Sequence, residues 1–172
     1  YLLLYGDLPN QKQIEEFKAE LANERDIPDL VVQTLKSRSP SALSMDVLQS
    51  AISLLADYDP DLESEDKDAH RRKGIRLISK VATVIAAWDR IRNGLEYIKP
   101  NKTLSHSANF LYMINGEKPT EEIAKYIDIA FILHADHSFN ASTFVARGVA
   151  STRAHMYAAV TAAIGTLSGI LH

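Results

Sequence analysis

Three observations predict an all-α fold, built as a single multi-helical domain. Apolar residues recur at spacings of three and four in one segment after another. Nowhere does the chain sustain the period-two alternation of a half-buried strand. The six prolines fall between the periodic segments, where they act as stops. No internal repeat or low-complexity tract divides the 172 residues.

Taken in order, Asn10 is a candidate N-cap for a first amphipathic helix that carries Ile14, Phe17 and Leu21 through Arg25. Ile27-Pro28 breaks it. Asp29 to Lys36 forms a second helix before the Ser37-Arg38-Ser39-Pro40 loop. Ser44 opens a third, with Val47, Leu48, Ala51, Ile52 and Leu55 on one stripe, ending near Tyr58-Asp59-Pro60 because proline disfavours a helical residue before it. Asp59 to Asp68 is acidic and reads as a solvent loop. A long run from Asp66 to Asn93 follows, with Ile75, Ile78, Val81, Ala82, Ile85, Trp88 and Ile91 forming a wide buried stripe. Gly74 inside it costs about 1 kcal/mol against alanine, so the helix bends there or a neighbour packs closely. Asn93-Gly94 is a stop and Ile98 to Asn101 a turn. Ser105 to Asn115 makes a further helix, with Tyr112 and Met113 as core. Another follows Thr120, a candidate N-cap ahead of Glu121 and Glu122 at the positive end of the helix dipole. Ala154 to Gly169 is rich in small residues, which suits the middle of a tightly packed layer or a subunit contact.

Composition narrows the function classes. With 46% hydrophobic and 24% charged residues the chain reads as a soluble globular domain, and its apolar runs fall short of the roughly 18 residues of a membrane span. A net charge of -3 with no basic stripe gives no electrostatic case for nucleic acid. The one basic cluster, His70-Arg71-Arg72-Lys73, reads as a solvated helix face. The absence of cysteine excludes disulfides and fits a reducing compartment, so a cytoplasmic location is the expectation.

The stretch from 131 to 152 sets more chemically useful side chains among apolar ones than any other, and reads as a site built into a helical core. On a continuous helix His134 and His137 lie near one face, with Asn140 four residues further along it. Three readings compete. One is a buried helix whose polar groups satisfy each other. A second is a metal site, but with no cysteine and no His-Glu-x-x-His run to supply a third ligand. The third is a small-molecule site in which His137 donates a hydrogen bond or moves a proton near neutral pH.

The run His134-Ala-Asp-His137-Ser-Phe-Asn140-Ala-Ser-Thr-Phe144-Val-Ala-Arg147, continued by Ala150-Ser-Thr152 and by Tyr157 to His172, resembles the citrate synthase family. So do Leu104 to Pro119 and the opening Tyr1 to Pro9. The resemblance spans most of the chain, densest after Leu104 and loosest between Asp57 and Lys73. It implies a condensation of acetyl-CoA with oxaloacetate, or of propionyl-CoA in the 2-methylcitrate relatives, with no cofactor beyond the substrates and a homodimeric parent. Family position makes His172, in Leu167-Ser-Gly169-Ile-Leu-His172, the catalytic donor to the acyl carbonyl. It makes His137 the donor to oxaloacetate, with Asn140 assisting. Ile170 stands where many members have proline, and Ser138 where an acidic residue is common. No aspartate here, Asp7, Asp89 and Asp128 included, matches the family's base, and no arginine matches its substrate clamps.

Two expectations follow from the ends. The chain looks like the larger helical part of a longer enzyme, with a C-terminal small domain and the rest of the active site outside it, and so inactive alone. The alternative of another class is a non-catalytic helical dimerisation module. His106 reads as a core or turn histidine, Arg147 as a packed or paired arginine, and His155 and Arg153 as exposed residues that begin the last helix.

Overall fold

A computed structural model describes residues 1–172 and contains helices only: α1 (Leu2–Tyr5), α2 (Gln11–Asn23), α3 (Asp29–Ser37), α4 (Ser44–Leu55), α5 (Lys67–Arg92), α6 (His106–Asn115), α7 (Glu121–Leu133), α8 (Ala141–Ser151) and α9 (Met156–Leu167). A single 3-10 turn, Ala56–Tyr58, extends α4. The two expected N-caps, Asn10 and Thr120, are in place, and Asp66 and Ser105 add two more. Asn10 and Gln13 form a reciprocal capping box at α2, and the side chains of Asp66, Ser105 and Thr120 accept amide hydrogens at the starts of α5, α6 and α7. Gly116 takes the left-handed conformation that closes α6, φ +86°.

The 26-residue α5 is the axis, and α2, α3, α4, α6 and α9 all pack on it. Its buried face joins α3, α4 and α9 in one core through Leu77, Val84, Ala87 and Trp88, against Val31, Leu35, Val47, Ile52, Tyr157 and Ile164. The helix runs unbroken through Gly74, where a Cβ would lie 3.8 Å from Leu4. The small residues of α9 let α4 and α8 close on it from either side. Gly165 is the tightest point: a Cβ there would lie 2.5 Å from Nε2 of Gln49, which donates to the Thr161 carbonyl.

Packing on α5 is fixed by its polar residues as much as by its apolar stripe. Lys73 is 1% exposed and gives Nζ to the carbonyls of Leu62 and Ser64, 3.2 and 2.7 Å. Lys80 reaches the carbonyls of Glu24 and Asp26, Thr83 that of Arg25, and Arg90 those of Glu96 and Ile114. Arg76 takes both oxygens of Asp59, 2.8 and 2.6 Å, and one of Asp61, while the Tyr157 hydroxyl donates to Asp59 at 2.5 Å. Two expectations are corrected here. The basic run 70–73 is not wholly solvated, because Lys73 points inward and Arg72 pairs with Asp61. The 59–68 segment is not a plain solvent loop, because Asp59 is buried against α5 and α9. Linear charge pattern does not report that the segment folds back over the helix that follows it.

Burial works to raise the Asp59 pKa, but the hydrogen bonds from Arg76 and Tyr157 and the Arg76 charge outweigh it, so the carboxyl ionises below its ordinary range. A carboxyl whose folded pKa is depressed stabilises the fold fully above its unfolded pKa, and that increment is lost as pH falls through the folded value. Urea denaturation followed against pH is expected to show this acid-side loss, and Asp59→Asn to flatten it. Asp59→Ala, which leaves Arg76 with Asp61 alone and the Tyr157 hydroxyl without its acceptor, is expected to cost about 1–3 kcal/mol at neutral pH.

Candidate functional site

The His137 segment is a turn between two helices. α7 ends at Leu133, and His134 is its C-cap, with Nδ1 2.7 Å from the Ala130 carbonyl. Asp136 Oδ1 accepts from the Ser138 amide at 2.8 Å, and Ser138 takes φ +59°, a left-handed value uncommon outside glycine. Asn140 then caps α8, its Oδ1 accepting from the Thr143 amide at 2.6 Å. The expectation of one continuous helix, with His134, His137 and Asn140 on a shared face, is therefore corrected. Asp and Asn side chains offer the backbone local partners that compete with a helix, and here Asp136 and Asn140, four residues apart, win.

The core placement is corrected as well. Every residue from Phe131 to Phe139 is exposed, Phe139 to 95%, and Phe144 to 78%. α7 packs chiefly on α6 and α8 on α9, so the turn that joins them stands clear of the axis. Arg147 is exposed and forms no ion pair. Arg153 is not helical: it takes φ +64° between α8 and α9 and pairs with Glu65. His155 is the N-cap of α9, with Nδ1 accepting from the Ala158 amide at 3.1 Å. His106 sits half-buried at the first position of α6, with its ring at an angle against Phe131.

One contact ties distant parts of the motif together. After α9 the chain turns at Ser168 to Leu171, and His172 comes back to α8, its Nε2 2.6 Å from Oγ of Ser142. Thirty residues apart in sequence, the two lie in the second position of α8 and the turn past α9, within one short helix segment of the His137 turn. Sequence reading missed Ser142, although it stands two residues after Asn140 inside the quoted motif and helical numbering from that cap would have exposed its position. Ile170 and Leu171 beside it are 99% and 97% exposed. No group of three or more His, Asp or Glu side chains is placed to hold a metal ion, and no helix is long and apolar enough to cross a membrane.

A family model described as citrate synthase, C-terminal domain, matches residues 1–172. Citrate synthase of Haloferax volcanii is 43% identical over 176 residues, covering all of this chain and 46% of the relative. The 2-methylcitrate synthase of Mycobacterium tuberculosis is 38% identical, again over the whole chain and 43% of the relative. Among solved structures, citrate synthase from Pyrobaculum aerophilum superposes with a TM-score of 0.94 at 35% identity, over the whole chain and 45% of that structure. The chain thus spans about half the length of the relatives it matches.

Because Asn140 both ends the turn and starts α8, Asn140→Ala is expected to cost about 1 kcal/mol and to speed hydrogen exchange at the Thr143 amide ahead of the rest of α8. Exchange measured residue by residue checks this.

Proposed function

The chain belongs to the citrate synthase family, and from that membership we propose that it is the helical half of an enzyme that condenses acetyl-CoA with oxaloacetate to citrate and CoA. The observation that carries the reading is the return of His172 to Ser142 at the head of the helix that the His137 turn leads into.

The methyl protons of an acetyl thioester are weakly acidic. Removing one needs a base on carbon and a donor at the carbonyl oxygen, where negative charge gathers. His172 is that donor. If Ser142 gives its hydroxyl hydrogen to Nε2, the neutral ring carries its own hydrogen on Nδ1, which is the form able to donate to a thioester oxygen. Ser142 is thus a positioning residue that holds the His172 ring at Nε2. His137 donates to the ketone oxygen of oxaloacetate and polarises that carbon for attack by the enol carbon. Asn140, whose Oδ1 is committed to the Thr143 amide, offers its Nδ2 hydrogens to the same substrate. The new carbon–carbon bond gives a citryl thioester, and water cleaves it to citrate and the CoA thiol. The base and the arginines for the dicarboxylate lie outside the residues matched here, so the chain is one part of the site and is inactive alone.

The relative from M. tuberculosis favours a second reading, in which propionyl-CoA replaces acetyl-CoA and 2-methylcitrate is the product. The parent acts in the cytoplasm as a homodimer, its C-terminal small domain beyond this chain. What supports the pairing is the α4–α5 face rather than the alanine-rich α9, which is occupied on both sides. Ile78 and Ile85 are 45% and 39% exposed there, beside an apolar cavity of about 160 Å³ lined by Met45, Leu48, Val84 and Trp88. Such a face can meet its own copy across a two-fold axis.

Release of free thiol by the full-length protein, with oxaloacetate and either acyl-CoA, tests the activity, and no release with either overturns it. His172→Ala is expected to lower kcat by about 10²–10³. His137→Ala is expected to raise KM for oxaloacetate as well as lower kcat. Ser142→Ala is expected to lower kcat about tenfold, because it frees the His172 ring from its one hydrogen-bond partner. In sedimentation, Ile85→Glu is expected to convert the dimer to a monomer.

A further inference from the structure

We propose that the groove between α2 and the α6–α7 pair binds a small oxyanion, a phosphate or carboxylate group on a partly apolar body, at a site separate from the condensing residues. The groove encloses about 920 Å³, enough for a small organic ligand. Arg25 lines it at 2% exposure. Its Nη1 donates to the carbonyls of Asn101 and Leu104, 2.7 and 3.0 Å, and it pairs with no carboxylate. Nε is buried with no partner, and Nη2 donates to nothing in the protein. That leaves the Nε–Nη2 edge, the fork that matches a carboxylate or phosphate side-on, unpaired and nearly closed off, so a ligand engages it with a small shift of the groove wall. A buried water could satisfy the Nε hydrogen, but it would not supply the counter-charge that an arginine taken out of water lacks.

The surroundings point to the same ligand. Lys18, Lys118 and Lys125 line the groove without ion pairs, and Lys102 adds a fourth ammonium, 4.0 Å from Asp26. Against them stand Glu121 and Asp128. The N-termini of α6 and α7 both open onto the groove, at Ser105 and Thr120, and favour negative charge there. Ile14, Phe17, Leu21 and Leu104 give the wall an apolar part, where the body of the ligand would lie. His106 is in the groove too, with Nδ1 buried and unpartnered. Burial and then the nearby Arg25 charge lower its pKa, and Asp128 partly opposes them.

The test is binding rather than turnover, so it stands or falls apart from the condensing activity. Full-length protein is titrated with inorganic pyrophosphate and, separately, with succinate, by calorimetry and by histidine ring NMR. At least one is expected to bind with a Kd of about 1 mM or tighter and to raise the His106 pKa; tighter pyrophosphate assigns a phosphate ligand, tighter succinate a carboxylate. Lys18→Glu with Lys125→Glu, both on exposed positions, is expected to weaken binding about tenfold or more. Arg25→Lys can still cap both carbonyls, as Lys73 and Lys80 cap theirs, but has no fork, and is expected to weaken binding about tenfold with little loss of thermal stability. Failure of both anions to bind, including because a carboxylate elsewhere in the full-length polypeptide already fills the fork, overturns the proposal. Binding that the lysine pair and Arg25→Lys leave unchanged overturns it equally.

Discussion

Cations on α5 that end on backbone carbonyls hold the rest of the fold in place. Lys73, Lys80 and Arg90 each take two carbonyls from segments that have no regular structure of their own or lie at helix ends. A carbonyl carries partial charge, so Lys73 and Arg90 are solvated from within the protein at the cost of desolvating one ion each, where an ion pair would desolvate two, while Lys80 adds the Glu24 carboxylate at 3.4 Å to its carbonyls. It also gives loop carbonyls the partners that burial would otherwise deny them. The exit of α2, the loop before α5 and the end of α6 are placed this way. α7 and α8 then hang from α6 and α9, and the candidate site hangs from them.

Much of this was legible in the chain. Asn10, Asp66, Ser105 and Thr120 announce their helices by residue type and by the apolar period that follows, and a cap is a local interaction that needs nothing from the rest of the fold. The inward turn of Lys73 and the burial of Asp59 were not legible, because both depend on the 59–64 segment folding back over α5. Nothing in a run of charges distinguishes a solvated face from one that another segment will cover. The two histidines show the opposite error. Their spacing of three fits a helix, and the apolar residues before them continue the period, yet Asp136 and Asn140 carry the stop in their side chains, with Ser138 in the left-handed conformation between them.

The candidate site was legible by family resemblance and only partly by geometry. His137 and His172 are identifiable in the motif, but neither spacing nor period says that the chain past α9 returns to α8. Only the fold supplies Ser142 as the partner. The exposure of Phe139, Phe144, Ile170 and Leu171 around these groups is equally invisible in sequence, where large apolar residues read as core. A site so open leaves its electrostatics weak, since donors act most strongly once water is excluded. A segment laid over these four side chains would therefore also strengthen the hydrogen bonds beneath them.

The turn from His134 to Asn140 is shaped by hydrogen bonds that span no more than four residues: His134 to Ala130, Ser138 to Asp136, and Thr143 to Asn140. Its form is consequently written in a continuous stretch of about a dozen residues and borrows nothing from distant parts of the chain. A segment of that kind is portable. Its flanking helices could slide, tilt or exchange their outer residues and leave the backbone path at His137 unchanged, so the placement of this side chain is insulated from change in the scaffold that carries it.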